Sequence, residues 1–307
     1  MTGASQRQLE TIDTREATLA WLRRGAVELA IASSVAPECA RAARAFRALS
    51  VHLSRPPRVA ILGESNTGKS TLANHLAQNA LLPTSVFQST RLAKLLRYAD
   101  RLFVEAHMDD HTAELRSDVL PQLSKVRYLE IGLPLHRLRD FELIDMPAVD
   151  AADAAETAEL LERLKPDLLV FCSAGVQAWK ESERQHWRAL KGTARGGGLL
   201  VLTHMDLLAP QDRQSVFERV KQLAGAQFAA IACVGLVEES VADTQDADAP
   251  KPVDLAVGAA PDGGTGSLGL SLILDFARQV ERRRISRIRR IAQWIAGRSR
   301  RSLDHRD

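Results

Sequence analysis

The sequence contains little cysteine, and the spacing of its cysteines matches no known cysteine motif. Cys39, Cys172 and Cys233 are the three cysteines among 307 residues, and they lie far apart in the chain. Their spacing matches neither a metal-ligand motif nor a disulfide framework. It excludes a disulfide-stapled secreted domain and indicates a reducing compartment.

Long hydrophobic runs are also missing. No apolar run approaches the ~20 residues that are needed to cross a bilayer. The N-terminal residues lack the apolar stretch of a signal peptide. We therefore expect a cytoplasmic protein, with any membrane contact peripheral and at the inner face of the membrane.

Acidic residues are scarce near the C-terminus, although the net charge of the chain is only +3. Residues 278–306 contain eleven arginines but only two acidic residues, Glu281 and Asp304. Such a segment suits an anionic membrane, a nucleic acid or an acidic partner, and it equally suits a solvated helix face. Trp294 is the only aromatic residue there that could stack on a base, which favours the membrane over nucleic acid.

The pattern along the chain predicts four segments. Residues 1–54 show helical spacing that ends at Arg55-Pro56-Pro57, and residues 55–237 form an α/β domain. Residues 238–267, rich in Ala, Asp, Pro and Gly, are predicted to be a flexible linker. Residues 268–307 are predicted to form a basic amphipathic helix, whose apolar side carries Ile273, Phe276, Val280, Ile288, Ile291 and Ile295.

The α/β domain is predicted from short apolar runs that alternate with helical segments. The predicted strands are 59–62, 91–97, 102–107, 126–131, 141–144, 168–172, 199–203 and 229–233. The predicted helices are 70–79, 113–123, 152–164, 181–191 and 211–223. This order indicates a doubly wound sheet, whose ligands bind at the C-terminal ends of the strands.

The most informative stretch follows the first of these strands. It reads Gly63-Glu64-Ser65-Asn66-Thr67-Gly68-Lys69-Ser70 and fits G-x-x-x-x-G-K-[ST], the loop that wraps nucleotide phosphates. Backbone N–H groups and a helix N-terminus attract phosphate at such a loop. We assign Lys69 to the β- and γ-phosphates and the Ser70 hydroxyl to Mg²⁺, and we include Thr71 among the nucleotide-binding residues.

Two later strand ends continue the nucleotide pattern. At Asp145-Met146-Pro147-Ala148, the carboxylate can hold Mg²⁺ through water and the Ala148 N–H can meet the γ-phosphate. In isolation this stretch would be interpreted as an ordinary turn, but it follows a P-loop. At Thr203-His204-Met205-Asp206, a carboxylate can accept two hydrogen bonds from the edge of guanine, a donor pair that adenine lacks. We therefore predict GTP or GDP as the ligand, bound in part by Thr203, His204 and Asp206.

The sequence resembles the dynamin superfamily of GTPases, specifically its bacterial dynamin-like members. The resemblance lies in residues 63–72, Leu81-Leu82-Pro83-Thr84, Ser89-Thr90-Arg91 and, in part, Thr203–Asp206, and it spans about residues 58–235. It implies a doubly wound P-loop GTPase domain with a mixed, mainly parallel sheet. It also implies that N- and C-terminal helices pack together beside this domain.

The resemblance also implies roles for particular residues. Thr90 is the switch threonine that closes on Mg²⁺ and the γ-phosphate, so that Ser70, Thr90 and (through water) Asp145 form the metal set. Asn66 stands where cation-dependent GTPases hold a K⁺ or Na⁺ ion that acts like an arginine finger. The predicted catalytic residues are thus Lys69, Thr90 and Asn66. Such enzymes complete their site by pairing GTPase domains, so we expect a homodimer or a related partner GTPase.

The sequence departs from the family pattern at two motif positions and in its length. Ala148 replaces a glycine, and its Cβ restricts the backbone movement that grips the γ-phosphate. His204 replaces a lysine; it can stack on guanine but cannot copy the lysine's contact with the phosphate loop. A chain of 307 residues leaves no room for a long stalk and membrane tip, so fission by a self-assembled collar is not expected without a partner.

These features predict a dynamin-like GTPase that hydrolyses GTP to GDP and phosphate. We expect it to act as a switch or mechanoenzyme at a membrane or on a partner protein. Two alternatives stay open. Ala148 and His204 favour a nucleotide-binding scaffold with weak or no hydrolysis, and the arginine-rich helix would serve an RNA-binding assembly GTPase.

Overall fold

The computed structural model describes residues 14–34, 36–77, 92–114, 125–149, 154–194, 196–234 and 268–304 of the protein. In chain order, the elements are α1 (Arg15–Ala32), α2 (Pro37–Leu53), β1 (Arg58–Gly63), α3 (Lys69–Ala77), β2 (Ala93–Tyr98), β3 (Phe103–His107), β4 (Thr112–Glu114), β5 (Tyr128–Leu133), β6 (Glu142–Asp145), α4 (Ala154–Leu164), β7 (Leu168–Ala174), α5 (Glu181–Leu190), β8 (Gly198–Thr203), α6 (Pro210–Ala224), β9 (Ala230–Cys233) and α7 (Leu268–Asp304).

Among the described residues, nine strands form one sheet in the order β4-β3-β5-β2-β6-β1-β7-β8-β9. Strand β1 lies between two parallel neighbours, β6 and β7, and the parallel arrangement continues through β8 and β9. On the other side, β2 is antiparallel to β6 and parallel to β5, while β3 is antiparallel to both β5 and β4. The predicted doubly wound, mixed and mainly parallel sheet is confirmed.

Most of the predicted strands match the structure, but one predicted helix is wrong. The eight predicted strands correspond to β1–β3 and β5–β9, with boundaries that differ by no more than two residues. The predicted helix 113–123 is contradicted at its start, because Ala113 and Glu114 belong to β4. Pairing with β3 overrides the helical preference of Ala and Glu there. Residues 115–123 lie outside the described residues.

An aromatic cluster fixes the segment that follows β7. Trp179 and Trp187 are fully buried, and both meet Phe171 edge-on at centroid distances of 5.9 and 6.1 Å. Phe228 stacks on Trp187 at 4.2 Å. Because Trp179 is anchored in this way, the next residue, Lys180, has a fixed position as the N-terminal cap of α5.

The described residues divide into two compact units, one within residues 57–277 and one formed by residues 1–56 with 278–307. In the second unit, α1 begins at the cap residue Thr14, and α2 begins with Pro37 at its first position. Its core joins the two N-terminal helices to α7 through Leu22, Phe46, Leu53, Ile285, Ile288 and Ala292. The predicted packing of the terminal helices on each other is confirmed.

The last helix differs from its predicted face at one position. The sequence predicts Ile291 on the apolar side, yet its side chain is exposed, as is that of Trp294. No helix among those described combines the length and the apolar character needed to cross a membrane. The predicted linker, residues 238–267, lies outside the described residues.

Candidate nucleotide-binding site

The loop between β1 and α3 has the backbone shape of a phosphate-binding turn. Gly63 has φ +146°, and a Cβ there would lie 2.5 Å from the carbonyl oxygen of Cys172, so a side chain is excluded. Asn66 and Gly68 have φ of 59° and 72°. Left-handed residues within a loop turn successive N–H groups towards one side, which creates an anion-binding concavity.

Two side chains hold this loop in its curled form. Thr67 Oγ1 donates to the carbonyl oxygen of Glu64 at 2.9 Å, and Lys69 Nζ donates to the same oxygen at 2.6 Å. Lys69 is only 8% exposed, and it is the first residue of α3. Its ammonium and the positive end of the helix dipole are therefore both presented to the loop.

The loop opens on a cavity of about 730 Å³, a size suited to a nucleotide. Eight of the predicted site residues line it, namely Ser65, Asn66, Gly68, Lys69, Ser70, Thr71, Asp145 and Ala148. The cavity lies at the C-terminal ends of β1 and β6, which is where doubly wound sheets bind their ligands. The structure thus brings Ser70 and Asp145, two of the three predicted metal residues, together with the phosphate loop.

Asp145 ends β6 beside β1 and is the acidic centre of the cavity. Its Oδ2 accepts a hydrogen bond from Ser70 Oγ at 3.1 Å and lies 3.6 Å from Lys94 Nζ. Burial raises the pKa of Asp145 above its ordinary value, whereas Lys94, Ser70 and Lys69 act in the opposite direction. Its Oδ1 is buried and has no hydrogen-bond partner among the described residues. A buried carboxylate oxygen without a partner, beside a hydroxyl, fits a Mg²⁺ site.

Backbone hydrogen bonds fix the segment after Asp145 against the start of the loop. Met146 N donates to Ile61 O at 3.2 Å, and Val149 N donates to Gly63 O at 3.1 Å. Pro147 and Ala148 lie between these bonds and form part of the cavity wall. The Ala148 segment is therefore tied to the phosphate loop in this structure.

The predicted guanine motif follows β8, on the other side of β1. Thr203 is fully buried, and its hydroxyl donates to Thr67 O at 2.9 Å, so this side chain supports the phosphate loop. His204 adopts a left-handed conformation with φ 54°. Asp206 lies in a short 3₁₀ turn, and its Oδ1 is buried without a hydrogen-bond partner among the described residues. An unpaired carboxylate oxygen is the group that a guanine edge requires.

Glu64 has a second role that the sequence motif did not reveal. Its side chain, 13% exposed, forms an ion pair with Lys180 Nζ at 2.6 Å, and His186 Nδ1 lies 3.6 Å away. Burial opposes ionisation, but hydrogen bonds from Lys180 and Ser182 and the Lys180 charge hold the pKa of Glu64 below its ordinary value. The phosphate loop is thus fastened to the start of α5.

Two further basic residues line the cavity and were also missed. Lys94 lies on β2, and Arg127 precedes β5, where its guanidinium binds Asp109 Oδ2 at 2.7 and 2.8 Å. For Lys94 a signal was present in the sequence, because a single charged residue interrupts the apolar run 92–96. A lysine in a buried strand is uncommon unless it is paired.

A separate cluster of ionisable residues lies away from the cavity, on β3 and β5. His107 Nε2 lies 3.0 Å from Glu130 and 4.0 Å from Glu105, and Tyr128 stacks on the imidazole. Glu130 also pairs with Arg97. Arg97 supplies Glu130 with a positive counter-charge, and we assign no metal to the cluster.

Part of the predicted site lies outside the described residues. Thr90 and the Leu81–Thr84 stretch belong to residues 78–91, for which the structure describes no placement. The predicted roles of Thr90 on the metal and on the γ-phosphate therefore stay predictions.

Known proteins share both the sequence pattern and the fold. Residues 58–196 match a family described as a 50S ribosome-binding GTPase. Dynamin-like protein 2 of Campylobacter jejuni is 26% identical over 184 residues, which are 56% of this chain and 29% of that protein. Two solved structures of an oligomerised bacterial dynamin pair superpose with TM-scores of 0.53 at 18% identity, covering 81% and 80% of this chain and 39% of theirs.

These comparisons agree with the site. The GTPase family match includes both the phosphate loop and Asp145, and the relatives in sequence and in fold are of the dynamin type. The chain spans less than a third of the curated relative's length. Residues 58–196 thus match a GTPase domain, and the chain is similar to bacterial dynamin-like proteins in sequence and in fold.

Proposed function

We propose that the protein hydrolyses GTP to GDP and phosphate as a switch or mechanoenzyme. The observation that carries this proposal is the convergence of Lys69, Ser70 and Asp145 on one cavity at the ends of β1 and β6. Beyond β8, the unpaired Asp206 oxygen supplies a guanine acceptor. The family that matches residues 58–196 is a GTPase family, which supports the same activity.

The chain's own groups act by positioning and by charge. The loop N–H groups and Lys69 bind the β- and γ-phosphates, and they stabilise the charge that develops between these phosphates in the transition state. Ser70, Thr90 and (through water) Asp145 would hold Mg²⁺, which when bound would neutralise phosphate charge. The Ala148 N–H would meet the γ-phosphate, and the hydrogen bonds from Met146 and Val149 to β1 hold its segment beside the phosphate loop.

Turnover of GTP and ATP, measured side by side across protein concentrations, tests this function. We expect phosphate release from GTP and little from ATP, because only guanine satisfies Asp206. The similar solved structure is an oligomerised pair, and if paired GTPase domains complete the site, turnover per protein molecule will rise with concentration. Equal use of ATP would remove the role of Asp206, and binding without turnover at any concentration would favour the scaffold.

The same turnover assay also tests whether Asn66 helps to bind a monovalent cation. This side chain lines the cavity from a left-handed position in the loop. We propose that it helps to hold K⁺ or Na⁺ near the β–γ bridge. The rate should then be higher in K⁺ than in a large inert cation, and Asn66→Ala should abolish that difference. Equal rates in the two salts would exclude the cation role.

We also propose that α7 contacts an anionic membrane. One face of the helix is exposed and carries arginines beside apolar residues, namely Arg283, Arg287, Arg290, Ile291, Trp294 and Arg298. Trp294 is 60% exposed, and the Arg298 guanidinium lies 4.9 Å from its ring centroid. Basic residues around an exposed tryptophan are typical of helices that lie in the membrane interface. The solved dynamin pair is described as sensing and tethering membranes, which supports this proposal.

Vesicle co-sedimentation tests the membrane contact. The full chain should bind phosphatidylserine vesicles, release them as salt rises, and leave neutral phosphatidylcholine vesicles unbound. Trp294→Ala should weaken binding, whereas Ile31→Ala, at an exposed apolar residue on α1, should not. If RNA binds in the same salt range and phosphatidylserine does not, the nucleic-acid alternative replaces the membrane.

A further inference from the structure

Lys94 is a buried cation in the wall of the phosphate cavity. It is 6% exposed, and it lies directly opposite Asp145 in the antiparallel pairing of β2 with β6. Directly opposed residues project from the same face of a sheet. The lysine ammonium therefore meets the carboxylate, with Nζ 3.6 Å from Oδ2.

The ion pair is not needed to join these two strands. Two residues along the same face, Leu96 lies opposite Leu143, and both leucines are buried. The neighbouring position on this face is thus filled by an apolar pair, and the two strands join there without any charge. A buried ion pair is often no more stabilising than an apolar pair of similar size, so packing alone gives no reason for a charge here.

The position of the ammonium suggests its use. Lys94 lines the cavity together with Lys69, Ser70 and Asp145, the residues assigned to the phosphates and the metal. Asp145 shares its Oδ2 between Ser70 and Lys94, while its Oδ1 has no hydrogen-bond partner among the described residues. The Lys94 ammonium therefore neutralises the negative charge of Asp145, which a bound divalent ion would otherwise neutralise.

We propose that Lys94 is a positioning residue that acts as a resident cation of the nucleotide site and makes guanine nucleotide binding less dependent on Mg²⁺. The ammonium neutralises Asp145 when Mg²⁺ is absent, so that the diphosphate is not repelled by a bare carboxylate. Its positive charge also competes with Mg²⁺ for the negative charge of Asp145, which weakens the metal's hold. This inference rests on the proposed GTP site.

The test measures GDP affinity with the full chain in excess EDTA and in saturating Mg²⁺. In the wild type we expect a modest ratio between the two dissociation constants. In Lys94→Met, which fills the same space without charge, the ratio should increase by roughly 10- to 100-fold, the range expected when one charge beside a carboxylate is removed. The Mg²⁺ concentration that half-restores GDP binding should fall in the same variant, because the metal no longer has a competitor.

Two control variants and one alternative test variant accompany Lys94→Met. Lys94→Arg keeps the charge and should retain the wild-type ratio, and Lys191→Met removes an exposed lysine and should change nothing. Lys94→Gln can still donate to Asp145, and it replaces Lys94→Met if that variant does not fold. An unchanged ratio in a folded, uncharged variant would show that Lys94 is only a structural ion-pair partner. If the wild type binds neither GDP nor GTP, the proposed function itself fails.

Discussion

Replacing Lys69 with alanine is expected to abolish GTP turnover and to weaken nucleotide binding severely. The side chain is nearly buried, and its ammonium donates to the carbonyl oxygen of Glu64 inside the phosphate loop. When a nucleotide occupies the cavity, the phosphates offer stronger acceptors to the same ammonium. Removal of one preorganised donor at a developing charge lowers the rate by roughly 10²- to 10³-fold.

The loss at Lys69 should be specific to phosphate contact. Lys69→Ala also removes the bond to Glu64, so the variant's thermal unfolding must be recorded beside its GDP affinity and its GTP turnover. Lys191→Ala is the matched control, since Lys191 is exposed at the end of α5. A folded Lys69→Ala protein with wild-type turnover would show that the cavity is not the catalytic phosphate site.

The phosphate half of the site was predictable because one continuous stretch of sequence encodes it. Residues 63–70 carry their own backbone requirements, and the apolar run before them becomes β1 because both faces of the central sheet are covered. Asp145 was found from the same logic, as an acid at the end of a buried strand. The observed separation of Ser70 Oγ and Asp145 Oδ2, 3.1 Å, joins two motifs that lie 75 residues apart in the chain.

The contacts that were missed depend on pairings that the sequence does not display. Lys94 meets Asp145 only because β2 runs antiparallel to β6, and a shift of one residue would turn the lysine to the other face. Glu64 meets Lys180 only because the buried Trp179 fixes the segment before α5. The helix predicted for residues 113–123 failed at Ala113 and Glu114 for a related reason, since β3 supplies a strand partner.

Replacing Asp206 with asparagine is expected to change which nucleotide the protein accepts. The carboxylate has a buried oxygen without a partner among the described residues, and the turn that holds it is fixed by Leu207 N donating to His204 O at 3.2 Å. Guanine presents two N–H donors to such a carboxylate. An amide keeps the shape but offers one acceptor and one donor, so GTP affinity should fall by roughly 10- to 100-fold.

Xanthosine triphosphate turns this loss into a positive result. Xanthine has a carbonyl oxygen where guanine has its amino group, so it presents one donor and one acceptor. The amide of Asp206→Asn matches that pair, whereas the wild-type carboxylate is left facing an oxygen.

Competition of GTP, xanthosine triphosphate and ATP for a fluorescent nucleotide should therefore show that the wild type prefers GTP and that Asp206→Asn prefers xanthosine triphosphate. ATP should bind weakly to both proteins. Asp212→Asn, at an exposed position in the first turn of α6, should keep the wild-type order. If Asp206→Asn weakens all three nucleotides equally, Asp206 supports the loop without reading the base, and guanine selection must be sought elsewhere in the domain.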